Sequence, residues 1–268
     1  MHNYKNPQPM TQRYIEEDDR ENNDNDNDCV PCRGGPFASR SIKMSIRTRA
    51  LVFSTFFGSC LAIGLLLASM TTNHWVRAYP RRGNSTEAKG DVNFGLFYGN
   101  QNLNPGFGVR TYPVDVYSFI RTEHGDTSFW LWLLTTLGTG FGLLACAVAA
   151  IAAVLKSASA AKKNGTMVLL LAANVSAAGA QVVAFLAWLV QFYQYLIHNV
   201  LIAEHQQQHW YSTGLAYLGY SFYLVVISTI VILINITILL YAKRREHRDR
   251  HRMEPLSKDK NTAAIMLY

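Results

Sequence analysis

Four runs of this chain contain no Asp, Glu, Lys, Arg or His: residues 50–70, 129–155, 167–196 and 215–241. The shortest has 21 residues, and as a helix rising about 1.5 Å per residue it covers about 30 Å, the thickness of a bilayer's hydrocarbon core. Lipid offers no partner to a bare N–H or C=O, so segments of this kind close their hydrogen bonds internally as helices. The predicted fold class is an all-α membrane protein: a bundle of four transmembrane helices. The first run follows 49 hydrophilic residues, which fits a full crossing and not the short apolar stretch of a cleaved signal.

Charge gives an orientation. Arg40, Lys43, Arg47 and Arg49 flank the first span, and Lys156, Lys162 and Lys163 lie between the second and third. Lys243, Arg244, Arg245, Arg248, Arg250 and Arg252 follow the fourth, whereas residues 197–214 hold no Lys or Arg. The positive-inside rule then predicts both termini in the cytosol and loops 71–128 and 197–214 outside; the localisation expected for this multi-pass protein is the plasma membrane. Read this way, the net charge of +7 belongs to membrane topology, and no nucleic-acid partner is expected. All five tryptophans (Trp75, Trp130, Trp132, Trp188, Trp210) fall toward the same side, as an interfacial belt would require.

Three regions result: a disordered cytosolic tail over 1–45, the four-span bundle over 46–242, and a basic, disordered cytosolic tail over 243–268. The first tail carries the run EEDDRENNDNDND and a Cys29–Cys32 pair without further zinc ligands. Loop 71–128 is long enough for a small antiparallel sheet of three or four strands. The strands are expected in HWVRAY (74–79), DVNFGLFYGN (91–100) and GFGVRTY (106–112), with VDVYSFI (114–120) a helical turn or a further strand. In the second of these, Val92, Phe94, Leu96 and Tyr98 share one face by alternation and Phe97 stands on the other. Loop 197–214 shows no turn signal before Gly214, so the third helix is expected to run on into it. His205 and His209 are then neighbours on an exposed helical extension, with no metal site expected.

Chemical motifs are few. Of four Asn-x-Ser/Thr sequons (Asn84, Asn164, Asn174, Asn235), only Asn84 falls in a polar outer segment, and it is the expected glycosylation site. Cys60 and Cys146 lie within spans, where a buried thiol is expected, and the outer loops hold no cysteine to staple a sheet. Small residues recur at Ser54, Gly58 and Ala62, and at Gly138 and Gly142, as close helix packing in lipid requires. Asn174, Gln181 and Asn235 are the polar groups expected to bond between helices. No span has the ionisable residue of a proton relay or ion path, and no catalytic set or cofactor motif is present, so neither an enzyme nor a cofactor is expected. Met266 and Tyr268 give the terminus the apolar spacing of a candidate PDZ ligand.

Trp75 after the first span, followed by Gly95-Leu96-Phe97 in the first loop, resembles the claudin-type tetraspan signature. Phe97 stands in place of that signature's tryptophan, and its two loop cysteines are missing. FGLFYG, with Gly95, Leu96, Phe97 and Gly99, is more similar to the Gly-Leu-Phe-x-Gly of the clarins. GFGVR, with Gly106, Gly108 and Arg110, resembles the Gly-x-Gly-x-Arg that follows it there, and the ending AAIMLY resembles their Met-Tyr type of terminus. The resemblance runs from about Ile46 to Tyr268. It implies a membrane organiser that holds other membrane proteins and links them to PDZ or actin-linked scaffolds, in sensory cells or at synapses. A channel or transporter subunit is the rival reading.

Overall fold

The computed structural model describes the backbone of residues 46–83, 85–158 and 164–265, and the side chains of 46–83, 87–158 and 165–248. Asn84, the Cys29–Cys32 pair, the acidic tail, Met266 and Tyr268 lie outside those residues. The fold is mostly helical. Helix α1 (Ile46–Thr71) leads into five strands: β1 (Val76–Ala78), β2 (Arg81–Arg82), β3 (Ser85–Phe94), β4 (Tyr98–Asn104) and β5 (Arg110–Asp115). Then come α2 (Val116–Glu123), α3 (Gly125–Ala158) and α4 (Asn164–Gln191), which ends in a π-helical turn over Phe192–Leu196. Helix α5 (Ala203–Gln207), strands β6 (Trp210–Tyr211) and β7 (Ala216–Leu218), and helix α6 (Tyr220–Ile265) complete the chain.

Four helices are long and apolar enough to cross a membrane: Ile46–Thr71, Gly125–Ala158, Gly165–Leu196 and Tyr220–Arg248. Their packing fits helices in lipid. The residues of α1 that face the interior are Thr48, Val52, Thr55, Ser59, Ala62, Leu66 and Ser69, at alternating steps of four and three. Those of α3 follow the same rhythm, from Ser128, Trp132, Thr135 and Thr139 through Gly142, Cys146 and Ala149 to Ala153 and Lys156. Such spacing keeps one narrow seam turned toward a partner helix. The seams are small or hydroxylated, while Phe57, Leu61, Leu137, Phe141, Leu144 and Ile151 point outward. A water-soluble bundle would reverse that distribution. The helices form a ring, α1 against α3 and α6, and α4 against α3 and α6.

The sequence expectation for the sheet requires correction. Its seven antiparallel strands run in the order β5-β4-β3-β1-β7, with β2 beside β3 and β6 beside β2. Both loops therefore supply strands. Residues 215–219 do not belong to the fourth span: Ala216–Leu218 pairs with Val76–Ala78, and α6 starts at Tyr220. An apolar strand that runs directly into an apolar helix reads as one uncharged run. Gly219 makes that junction, because a Cβ there would collide with the His74 carbonyl. Nor does α4 extend through the second loop; it stops at the π turn, and β6 and β7 follow. The expected strand 91–100 is in fact a hairpin, with Gly95-Leu96-Phe97 as the turn between β3 and β4. Segment 114–120 is divided between the end of β5 and α2, whose N-cap Asp115 accepts from the Ser118 hydroxyl at 2.7 Å. Helix α6 continues through the basic segment after 243 as far as Ile265.

Candidate functional site: the junction of sheet and bundle

Helix α1 ends, α3 begins, α4 ends and α6 begins at the sheet, and Trp75 is the post between the two layers. Its ring is completely buried, and the indole N–H donates to the Ser69 carbonyl in the last turns of α1, at 2.8 Å. Its main-chain N–H donates to Phe94 O at 2.7 Å, and its own carbonyl accepts from Gly219 N at 2.9 Å. One residue thereby joins α1, β3 and the start of α6. The ring meets Trp188 edge-on at 4.9 Å and Phe222 at 6.5 Å.

Gly95-Leu96-Phe97 is the second contact. The hairpin closes with Gly95 N donating to Tyr98 O at 2.8 Å. A Cβ on Gly95 would lie 2.7 Å from Thr72 O and 2.9 Å from Asn73 Cα, so the turn rests directly on the end of α1. Leu96 is fully buried, and its carbonyl accepts from the Trp132 indole of α3 at 2.8 Å. Phe97 is half-buried against the core, and its carbonyl accepts from Val116 N at 3.0 Å, starting α2. The expected face assignment fails at Tyr98, which is exposed, whereas Leu96 is buried with Val92 and Phe94. Alternation fails because the chain reverses at this point. Gly99 packs on the Phe94 ring, where no side chain would fit.

The remaining motif residues lie elsewhere. Gly106 and Gly108, with φ of +111° and +120°, form the turn between β4 and β5. Asn104 Oδ1 accepts from their N–H groups at 3.0 and 3.3 Å. Phe107 projects from this tip and is 98% exposed; Arg110 is exposed on β5. The structure thus unites Trp75, Gly95, Leu96, Phe97 and Gly99, and separates them from Gly106, Gly108 and Arg110.

Four tryptophans depart from the expected belt. Trp75, Trp132, Trp188 and Trp210 are buried, and only Trp130 is outward-facing at 64% exposure. They fill the space between helix ends and sheet, where large rings with one N–H suit a junction rich in main-chain acceptors. Cys60 is exposed on the helix surface, contrary to expectation, while Cys146 is buried. Ser54 faces outward and bonds its own helix at Leu51 O, whereas Gly58 meets the Asn235 side chain. Gln181 and Asn235 do bond between helices. Gln181 Oε1 accepts from Thr229 Oγ1 at 3.1 Å, and Asn235 Nδ2 donates to Thr55 O at 3.3 Å. Asn174 Nδ2 instead donates within its helix, to Leu170 O at 2.8 Å.

The second loop packs against the sheet of the first. Gln101 of β4 is fully buried and donates to Val200 O at 3.2 Å. His205 is buried, not exposed, with its ring 4.7 Å from that of Tyr112. Burial pushes its pKa below the usual 6.5, with Glu204 partly opposing. His209 follows α5 with φ of +67°, off the helix and away from the expected i, i+4 pairing. Among the described residues no group of three His, Cys, Asp or Glu side chains is placed to hold a metal. Beside β6, an open cleft of about 1150 Å³ is lined by Tyr79, Pro80, Arg81, Arg82, Lys89 and Tyr211 among others.

No protein-family model matches the chain, and no curated protein matches it.

Proposed function

We propose that this chain is a clarin-type membrane organiser: a four-span platform that holds partner membrane proteins beside it and links them to PDZ or actin-linked scaffolds, in sensory cells or at synapses. In this reading it acts at the plasma membrane, with the sheet extracellular and both termini cytosolic. The observation that carries the reading is the double tryptophan clamp. Trp75 and Trp132 fix a disulfide-free sheet onto the helix ends, which makes a rigid surface rather than a moving gate. Within the bundle, Gln181, Thr229 and Asn235 spend their polar groups on neighbouring helices. What is left for other molecules is the sheet, including the exposed Phe107 tip, and the outward apolar faces of the helices.

Proximity labelling from the N-terminus in sensory tissue tests this. The expected set is a recurrent group of membrane proteins together with PDZ or actin-linked proteins, the latter lost when the last four residues are deleted. Labelling no different from that of an unrelated four-span protein would sink the proposal. Orientation has its own test. Endoglycosidase treatment is expected to shift wild type on a gel and to leave Asn84→Gln unchanged. A glycan mapping to Asn164 would invert the topology.

A further inference from the structure

The cleft beside β6 lies where the sheet is irregular. Arg81 pairs with Lys89 and Arg82 with Ser85, so residues 86–88 of β3 have no partner on β2. A bulge of this kind bends its strand and re-aims the side chains around it. The cleft, about 1150 Å³, runs along the bulge and is lined from both strands.

Like charges stand side by side in it. Tyr211, Arg81 and Lys89 are directly opposite one another on β6, β2 and β3, and Tyr79, two residues before Arg81, is exposed beside them. Like charges opposite each other across strands repel, and neither Arg81 nor Lys89 forms an ion pair among the described residues. Asp91, the next acid along β3, faces Arg77 at 3.9 Å. Glu87 is the one acid among the described lining residues. Against it stands a third cation, Arg82, whose side chain is fixed where Nε donates to Gln208 O at 3.2 Å.

The acids outside the described residues do not supply the counter-charge. They fall in 1–45, before α1, and after 248, late in α6. With those helices across a membrane, both segments are on the side away from the sheet. The undescribed side chains next to the cleft are those of Asn84, Ser85 and Thr86, none of them acidic.

The lining narrows what the anion belongs to. Tyr79 and Tyr211 are 44% and 47% exposed, flat rings open to a ligand that an inorganic anion would leave unused. A peptide anchors through apolar side chains in pockets, and no Leu, Ile, Val, Met or Phe is among the described lining residues. Strand β2 is bonded on both sides, to β3 and β6, and offers no free edge to an added strand. A sugar that carries a carboxylate matches both features. Its charge meets the cations, and the C–H face of its ring lies on tyrosine.

We propose that this cleft binds an acidic oligosaccharide displayed outside the cell, with Arg81 and Lys89 on its carboxylate and Tyr79 and Tyr211 against its rings. The inference rests on the orientation proposed above, with the sheet outward, and adds a ligand class for that surface.

The full chain, in a detergent without a sugar headgroup, is titrated with sialyllactose, a hyaluronan tetrasaccharide, lactose, hexaglutamate and inorganic phosphate, and Kd is read by calorimetry. At least one of the two carboxylated sugars is expected to bind about tenfold or more tightly than lactose, hexaglutamate and phosphate. Arg81→Gln should weaken that binding about tenfold or more, and Tyr211→Ala about threefold to tenfold. Lys89→Ala should weaken it too with an unchanged unfolding midpoint, so that lost binding is not lost folding. Arg244→Gln, an equal charge loss on α6, should keep the affinity, as should Asn84→Gln. A sugar that binds Asn84→Gln alone would make the chain's own glycan the occupant and overturn the proposal. So would failure of both carboxylated sugars, equal binding of hexaglutamate or phosphate, or undiminished affinity in Arg81→Gln. A glycan mapping to Asn164 would instead refute the orientation beneath the proposal, whatever the titrations give.

Discussion

The indole N–H of Trp132 donates to the carbonyl of Leu96 across 2.8 Å, from the first turns of α3 to the tip of the β3–β4 hairpin. Both residues are buried. Since no disulfide is present among the described residues and Cys60 and Cys146 are free, bonds of this kind hold the sheet on the bundle. Trp132→Phe keeps most of the packing but leaves the Leu96 carbonyl buried without a donor, at a cost of about 1–3 kcal/mol. The unfolding midpoint is expected to fall by roughly 3–10 °C. Trp130→Phe, on the exposed side of the same helix, should stay within about 0.5 kcal/mol of wild type. Equal effects of the two substitutions would show that the bond does not matter.

Gly95 has no room for a side chain. Gly95→Val places a branched Cβ against Thr72 O and Asn73, both main-chain contacts at the end of α1 that cannot swing away. The hairpin must lift and expose Leu96 and Trp132. Synthesis and membrane insertion should proceed, because the spans are untouched, but the protein is expected to be retained in the endoplasmic reticulum. Lys89→Ala, at an exposed position of β3, should reach the cell surface normally. Surface levels for Gly95→Val comparable to the control would show that the turn tolerates displacement.

The four spans were legible because an apolar run of about 20 residues without a charge is seldom anything but a membrane-crossing helix. Their packing was only partly so. Gly58, Gly142, Gln181 and Asn235 follow from the need for small and polar seams, but Ser54 and Cys60 face outward, and hydropathy carries no phase when every face is apolar. The sheet was half legible. Strands of the first loop are edged by Gly and Pro, whereas Ala216–Leu218 is concealed in the apolar run before α6, and Gly219 was the one signal of a break. At the junction, Trp75, Gly95 and Leu96 stood out as a motif. Their roles did not, because the partner of the Leu96 carbonyl lies 36 positions away, and local alternation cannot show a chain reversal.

The second loop has a pH dependence that follows from burial. His205 sits under Tyr112 with Nδ1 lacking a hydrogen-bond partner. His124, at the α2–α3 corner, is likewise pushed below the usual 6.5, chiefly by burial, with Glu123 and a hydrogen bond to the Asn199 backbone opposing. Both are neutral in the folded protein, so below about pH 6.5 the unfolded chain binds more protons than the folded one. Their contribution to stability is complete above that pH and is lost as pH falls through the lowered folded values. The unfolding midpoint should therefore be level above about pH 7 and decline as pH falls below about 6.5. His124→Gln with His205→Gln should flatten the decline. A double variant that declines as steeply as wild type would assign the effect to other groups.

The bundle interior separates a platform from a pore. Gln181 is held by Thr229 on α6 and reaches Cys146 Sγ of α3 at 3.6 Å, with Gly142 packed against its side chain. Asn235 is held between Thr55 and Ser59 of α1, over Gly58. These amides are spent on hydrogen bonds to neighbouring helices. Purified chain in liposomes is expected to add no ion conductance or solute flux. Gln181→Leu should fold and insert, losing about 0.6 and at most about 1.7 kcal/mol for an interhelical bond in lipid, and should leave the liposomes equally tight. Reproducible flux in wild type that Gln181→Leu or Asn235→Leu abolishes would make these residues pore-lining, and the chain would have to be read as a channel.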